Sequence, residues 1–160
     1  MSYRQILLSV TLLAVATISL AWASEIFGGL APCALCLQQR LPYYVAVPIL
    51  LAMVWAGQRL TSPWLIAGVG VVFLVSAGLA GYHAGVEYAW WAGPDTCGGG
   101  GGLPSSTAAL AEALKGAKVV RCDEAAFRLF GISMAGYNVL MSLLLVGLCG
   151  YGFRAARAGR

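Results

Sequence analysis

The chain has 160 residues, of which 60% are hydrophobic and only 10% charged. Soluble domains carry about 25% charged residues, and a core of this length has no room for so much apolar surface, so lipid must be part of the solvent. The net charge of +4 comes without a basic patch interleaved with aromatics, which argues against a nucleic-acid partner.

Four stretches read as membrane-spanning helices, at about 5–24, 34–57, 61–83 and 131–153. Roughly 20 residues at 1.5 Å each cover a hydrocarbon core of about 30 Å. Backbone groups in lipid must bond internally, and none of these runs alternates as a strand would. The expected fold is an all-α integral membrane protein, a four-transmembrane-helix antiparallel bundle in a single domain. The first run ends on Ala21-Trp22-Ala23, which resembles a signal cleavage site. It is longer than a signal core of about 7–15 residues, so it reads as a retained span.

Orientation follows from the basic residues. Arg4, Arg59, Arg154, Arg157 and Arg160 lie on one side; Arg40, Lys115, Lys118, Arg121 and Arg128 lie on the other. The totals tie, but the first set is concentrated in short segments at span ends, where charge counts most. Both termini are therefore expected to be cytoplasmic, with outer loops at about 25–33 and 84–130. The aromatics fit this frame. Trp22, Tyr82, Tyr88, Trp90, Trp91 and Tyr137 fall near the outer boundary, and Tyr3, Trp55, Trp64 and Tyr151 near the inner one. The turn from Gly57 to Pro63 is short, which makes spans two and three antiparallel neighbours. Ala77 and Gly81, four apart, offer a small-residue face for helix approach.

The second outer loop is long. Cys97 precedes five glycines, Gly98–Gly102, a flexible tether. Ser105-Ser106-Thr107 then caps a short predicted helix at 108–115, with Leu110 and Leu114 on one face. Asp123 is an N-cap for a second helical stretch at 124–130, with Phe127 and Phe130 turned toward the interface.

The chemistry concentrates on cysteine. Cys33 and Cys36 stand two residues apart where span two begins, just after Pro32. A helix N-terminus offers unpaired N–H groups and partial positive charge, both of which favour a thiolate. Arg40 follows Cys36 at i+4, on the same face. Together these lower a thiol pKa from about 8.5 by a few units, and the reading assigns the stabilised thiolate to Cys36. Cys97 and Cys122 form a second pair on the same side, suited either to a fixed clamp or to exchange; the adjoining tether favours exchange. Cys149, inside span four, reads as a small buried apolar residue. Plainer roles exist for the polar residues as well: Arg40 reaching to headgroups, His83 as an interfacial polar group, and Asn138 in an interhelical hydrogen bond. Haem attachment would need histidine after Cys36, where Leu37 stands. Zinc held by all four outer cysteines lacks a second local Cys-x-x-Cys.

Four spans, Cys-x-x-Cys-x-x-x-Arg at the top of the second, and a cysteine pair in the last outer loop resemble the disulfide bond formation protein B (DsbB) family. The stretches Gly81–Glu87 and Cys122-Asp123-Glu124 resemble its alphaproteobacterial-type branch. The resemblance implies a multi-pass protein of the bacterial inner membrane with both cysteine pairs on the periplasmic side. It implies a quinone-dependent dithiol oxidoreductase in which Cys33, Cys36, Cys97 and Cys122 are catalytic. Cys97 and Cys122 would exchange with a DsbA-like periplasmic thioredoxin-fold protein, with Cys97 forming the mixed disulfide. Electrons would pass to Cys33 and Cys36 and then to ubiquinone or menaquinone, with Arg40 and His83 as cofactor-binding residues and no metal. The best-known members carry an acid where this chain has Gln39. Two other readings are a thiol–quinone oxidoreductase like vitamin K epoxide reductase, whose Cys-x-x-Cys comes late in the chain, and a non-catalytic membrane protein with clamped loops.

Overall fold

The computed structural model describes residues 2–57, 62–94 and 120–158. Within them lie four helices and one two-stranded hairpin: α1 (Tyr3–Ile26), α2 (Ala34–Ala56), α3 (Pro63–Glu87), β1 (Arg128–Leu129), β2 (Ile132–Ser133) and α4 (Met134–Ala158). Cys97, the glycine run and the expected helix at 108–115 lie outside the described residues.

Each helix begins where the sequence supplies a start signal. Ser2 caps α1 in a reciprocal box with Gln5: its hydroxyl accepts the Gln5 N–H, and its own N–H donates to Gln5 Oε1 at 2.8 Å. Pro63 opens α3 at a first-turn position, where its missing N–H leaves no bond unmade. Pro42 and Pro48 lie inside α2, which a helix packed among neighbours tolerates.

Three helices, α1, α3 and α4, are long and apolar enough to cross a membrane. The 23-residue α2 is comparable in length but carries Gln38, Gln39, Arg40 and the two prolines. Packing runs α1 to α2, α2 to α3, α3 to α4 and α4 back to α1, with α3 and α4 the most extensive pair. The core joins Ile6, Val10, Tyr43, Leu50, Ile66, Phe73 and Leu145 from all four helices. The outside is apolar too: Leu12, Leu20, Trp55 and Trp64 are 69–91% exposed. An envelope of that kind is the lipid-facing surface of a membrane protein.

Close approach of the helices rests on glycines other than the expected one. A Cβ on Gly152 would meet Ile66 Cδ1 at 2.7 Å and Ile6 Cγ2 at 3.3 Å, and one on Gly70 would meet Cys149. A Cβ on Gly81 would meet nothing within 4 Å among the described residues.

Two elements differ from expectation. α3 continues to Glu87, one turn past the expected end, so Glu87 sits on the helix four residues after His83. The stretch 124–130 is not helical. Asp123 pairs with Arg121 instead of capping, and the chain enters an antiparallel hairpin, Arg128 opposite Ser133 and Leu129 opposite Ile132. Phe130 (φ 50°) and Gly131 (φ 79°) form its two-residue turn, which needs positive φ at both positions. Arg128 fixes the hairpin to α3: it donates to the Glu87 carbonyl at 3.0 Å and lies 4.9 Å over the Tyr88 ring. Tyr88 in turn donates to the Gly131 carbonyl at 2.9 Å.

Candidate functional site

The Cys-x-x-Cys spacing is the spacing from a helix N-cap to its third residue. Cys33 is the N-cap of α2, with extended backbone (φ −77°, ψ 171°). Its Sγ accepts the backbone N–H of Cys36 at 3.1 Å, the position a capping serine or aspartate oxygen would take. The sulfur so placed is 3.6 Å from His83 Nε2 and is 96% buried with its residue. The Cys36 thiol donates to Cys33, and the His83 ring and the Cys36 amide add to it. Against the opposing effect of burial, they hold the Cys33 thiol down to about 4. The accepting sulfur is thus Cys33. The expectation that Cys36 carries the stabilised thiolate is corrected by the cap geometry, which turns the free helix N–H toward the first cysteine.

His83 is oriented by a directional hydrogen-bond ladder. Gln39 Nε2 faces the Leu35 carbonyl at 3.5 Å, which can only accept, and His83 Nδ1 at 2.5 Å. His83 Nδ1 is therefore the acceptor and its proton lies on Nε2, toward Cys33. Gln39 Oε1 accepts from Asn138 Nδ2 at 2.7 Å, and Asn138 Oδ1 accepts from the Tyr43 hydroxyl at 2.8 Å. Ser142 and Ser76 continue the ladder into the core, 3.0 Å apart. Asn138 makes the interhelical bond expected of it. Gln39 acts on the histidine.

Arg40 reaches back to α1. It donates to Glu25 Oε2 at 2.6 Å and to the Ala21 carbonyl at 3.3 Å, and lies 5.7 Å over the Trp22 ring. Glu87 lies on the other flank, with one oxygen 3.8 Å from His83 Nε2. Its second oxygen is buried without a hydrogen-bond partner among the described residues.

These groups share one cavity of about 620 Å³. Cys33, Cys36, Gln39, Arg40, His83 and Glu87 line its polar part; Ile18, Leu20, Leu30, Phe127, Met134 and Met141 make an apolar wall. Volume and lining suit an apolar ligand with a polar rim. Cys122 packs with Cys33, Leu35 and Val86 in one buried cluster that Cys36 adjoins, and its backbone hydrogen-bonds the His83 ring. Cys122 is disulfide-bonded, whereas Cys33, Cys36 and Cys149 carry free thiols. Cys149 is buried in the core, away from this cluster.

Of the expected site residues, Cys33, Cys36, Arg40, His83 and Cys122 come together; Cys97 lies outside the described residues. Glu25 and Glu87 were missed. The i+4 spacing from His83 was a usable signal for Glu87. No sequence signal ties Glu25 to Arg40, fifteen residues on.

A helical membrane protein with a dithiol, one sulfur buried and one half-buried, at one end of its bundle is the class these features define. The chain belongs to the DsbB family: the profile of "Disulfide bond formation protein DsbB" matches residues 3–152, nearly its whole length. It is therefore a membrane oxidoreductase of disulfide-bond formation, from a family of the bacterial inner membrane that uses quinone. "Uncharacterized protein RP370" of Rickettsia prowazekii (strain Madrid E) is 24% identical over 146 residues, covering 90% of this chain and 84% of that protein. That relative agrees with the alphaproteobacterial-type branch. No solved structure matches the chain.

Proposed function

We propose that the protein reoxidises a DsbA-like periplasmic thioredoxin-fold dithiol and passes the electrons through two cysteine pairs to ubiquinone or menaquinone. In this reading α2 is a fourth span, both termini are cytoplasmic, and the cavity opens at the periplasmic side. The observation that carries it is the burial of Cys122 against Cys33 and Cys36 beside an apolar cavity.

The partner's thiolate attacks Cys97 and opens a Cys97–Cys122 disulfide; closure of the partner's own disulfide then releases Cys97. The loop pair now holds two electrons, and exchange with an oxidised Cys33–Cys36 pair transfers them inward. The capped Cys33 thiolate favours that direction, because stabilising the reduced form makes a pair more oxidising. His83 donates Nε2–H to the sulfur, and the apolar wall excludes water. Arg40 and His83 would hold a quinone at the polar rim. When bound, it supplies the terminal acceptor for two electrons and two protons.

Purified protein mixed with quinone and a reduced thioredoxin-fold dithiol tests this. Quinone absorbance should fall only when the dithiol is present. Loss without dithiol, or no loss with it, would remove the reading.

A further inference from the structure

Three ligand atoms of different residues converge at the polar end of the cavity. Cys33 Sγ, Cys36 Sγ and a His83 ring nitrogen all lie within 4.8 Å of one another. The Cys33–His83 separation is 3.6 Å. Zinc bonds of about 2.3 Å to sulfur and 2.0–2.1 Å to nitrogen, at a tetrahedral angle, set those two atoms about 3.6 Å apart. A fourth group stands beside the histidine, outside the 4.8 Å cluster of the other three. The Glu87 side chain is 4% exposed, lines the same cavity and approaches the same ring nitrogen at 3.8 Å. Its buried Oε2 has no hydrogen-bond partner among the described residues. A buried carboxylate oxygen left unpaired is costly and calls for an unfilled partner.

We propose that the reduced protein binds one thiophilic divalent cation of the zinc class through Cys33, Cys36, His83 and Glu87. The binding itself is independent of the oxidase reading; its consequence, a reversible block of the relay, rests on that reading. Two thiolates and a carboxylate against a divalent cation is a donor set typical of zinc. Binding displaces the Cys36 proton, since only the thiolate is a ligand. The oxidised pair has no thiolates to offer, so the site exists in the reduced state alone. A cation held there occupies both sulfurs and stops exchange with Cys122.

The ladder behind His83 accommodates the change. A metal on Nε2 moves the ring proton to Nδ1, which then needs an acceptor. Gln39 supplies one by turning its amide, at the loss of the 3.5 Å contact to Leu35, the longest of its three. Asn138 turns with it, and the Tyr43 hydroxyl both donates and accepts. Gln39 is then the outer partner that orients a ligating histidine.

The test uses the 160-residue chain in detergent with Cys97→Ala and Cys122→Ala, so that no loop thiols compete, reduced by a phosphine. Zinc is titrated against a chromophoric chelator, and cadmium is followed by its thiolate charge-transfer absorbance. One cation per chain is expected, and none after the pair is oxidised. Glu87→Gln and Gln39→Leu should each weaken binding about tenfold or more, and His83→Ala at least as much. Failure to bind overturns the proposal. So does equal affinity in wild type, Glu87→Gln and His83→Ala, which would mean simple dithiol chelation. Neither quinone nor partner is present, so the result stands apart from that of the oxidase assay.

Discussion

Cys33 receives donors from three directions, and the consequence is a pH signature. A thiol held down to about 4 is thiolate from about pH 5 upward and is lost as pH falls through 4. Its alkylation rate by a small reagent should therefore be flat from pH 5 to 8. A rate rising tenfold per unit up to pH 8 would mean an ordinary thiol. The same shift stabilises the reduced fold above the pKa of the unfolded thiol, and that increment disappears on acidification through the folded value. Arg40 makes a different kind of statement. Its fork serves Glu25 and the Ala21 carbonyl at once while the guanidinium lies over Trp22. Lysine has the charge but not the fork. Arg40→Lys should raise the apparent KM for a soluble quinone about tenfold, the loss of one charge-assisted hydrogen bond, with turnover at saturating quinone little changed. An unchanged KM would separate Arg40 from the cofactor.

The helices show what a sequence can and cannot disclose about its elements. Uninterrupted apolar runs marked α1, α3 and α4, because burying backbone in lipid leaves no other structure open to such runs; the apolar stretch after Arg40 marked α2. The two places where the reading erred are both decided by contacts outside the segment. α3 runs on through His83 to Glu87, where Tyr88 and Ala89 (φ 57°) end it. The 124–130 stretch has an acceptable helix cap in Asp123, but Arg121 takes that carboxylate and the hairpin is tied to α3 by Arg128 and Tyr88. Gly85 shows the same dependence: the Trp91 indole packs where its Cβ would be, stacks on Tyr82 and donates to the Tyr82 carbonyl at 3.0 Å. Gly85→Ala should free Trp91 and shift its fluorescence to longer wavelength. No shift would show that the indole rests elsewhere. Within the bundle, Gly152→Val forces Ile66 and Ile6 aside and should cost about 1–3 kcal/mol, read as a lower thermal midpoint in detergent.

Antiparallel packing brings the C-terminal ends of α1 and α3 beside the N-terminal ends of α2 and α4. That is why Glu25, Cys33, His83 and Asn138, scattered along the chain, serve one cavity. That Cys33, Cys36 and Arg40 lie together at one end of α2 was legible because their spacing along one helix carries it. Glu25, Gln39 and the Tyr43–Ser142–Ser76 ladder were not, because each acts across a helix pair whose register no local pattern encodes. The buried cluster of Cys33 with Cys122 sets the two cysteines against one another, the contact on which the proposed relay depends. Disulfide mapping of a Cys36→Ser, Cys97→Ala variant tests that contact most directly, since it leaves Cys33 and Cys122 as the only cysteines besides Cys149, which is buried in the core. After mild oxidation, mass spectrometry of non-reduced peptides should find Cys33 joined to Cys122. Both sulfurs remaining free under those conditions would contradict the account.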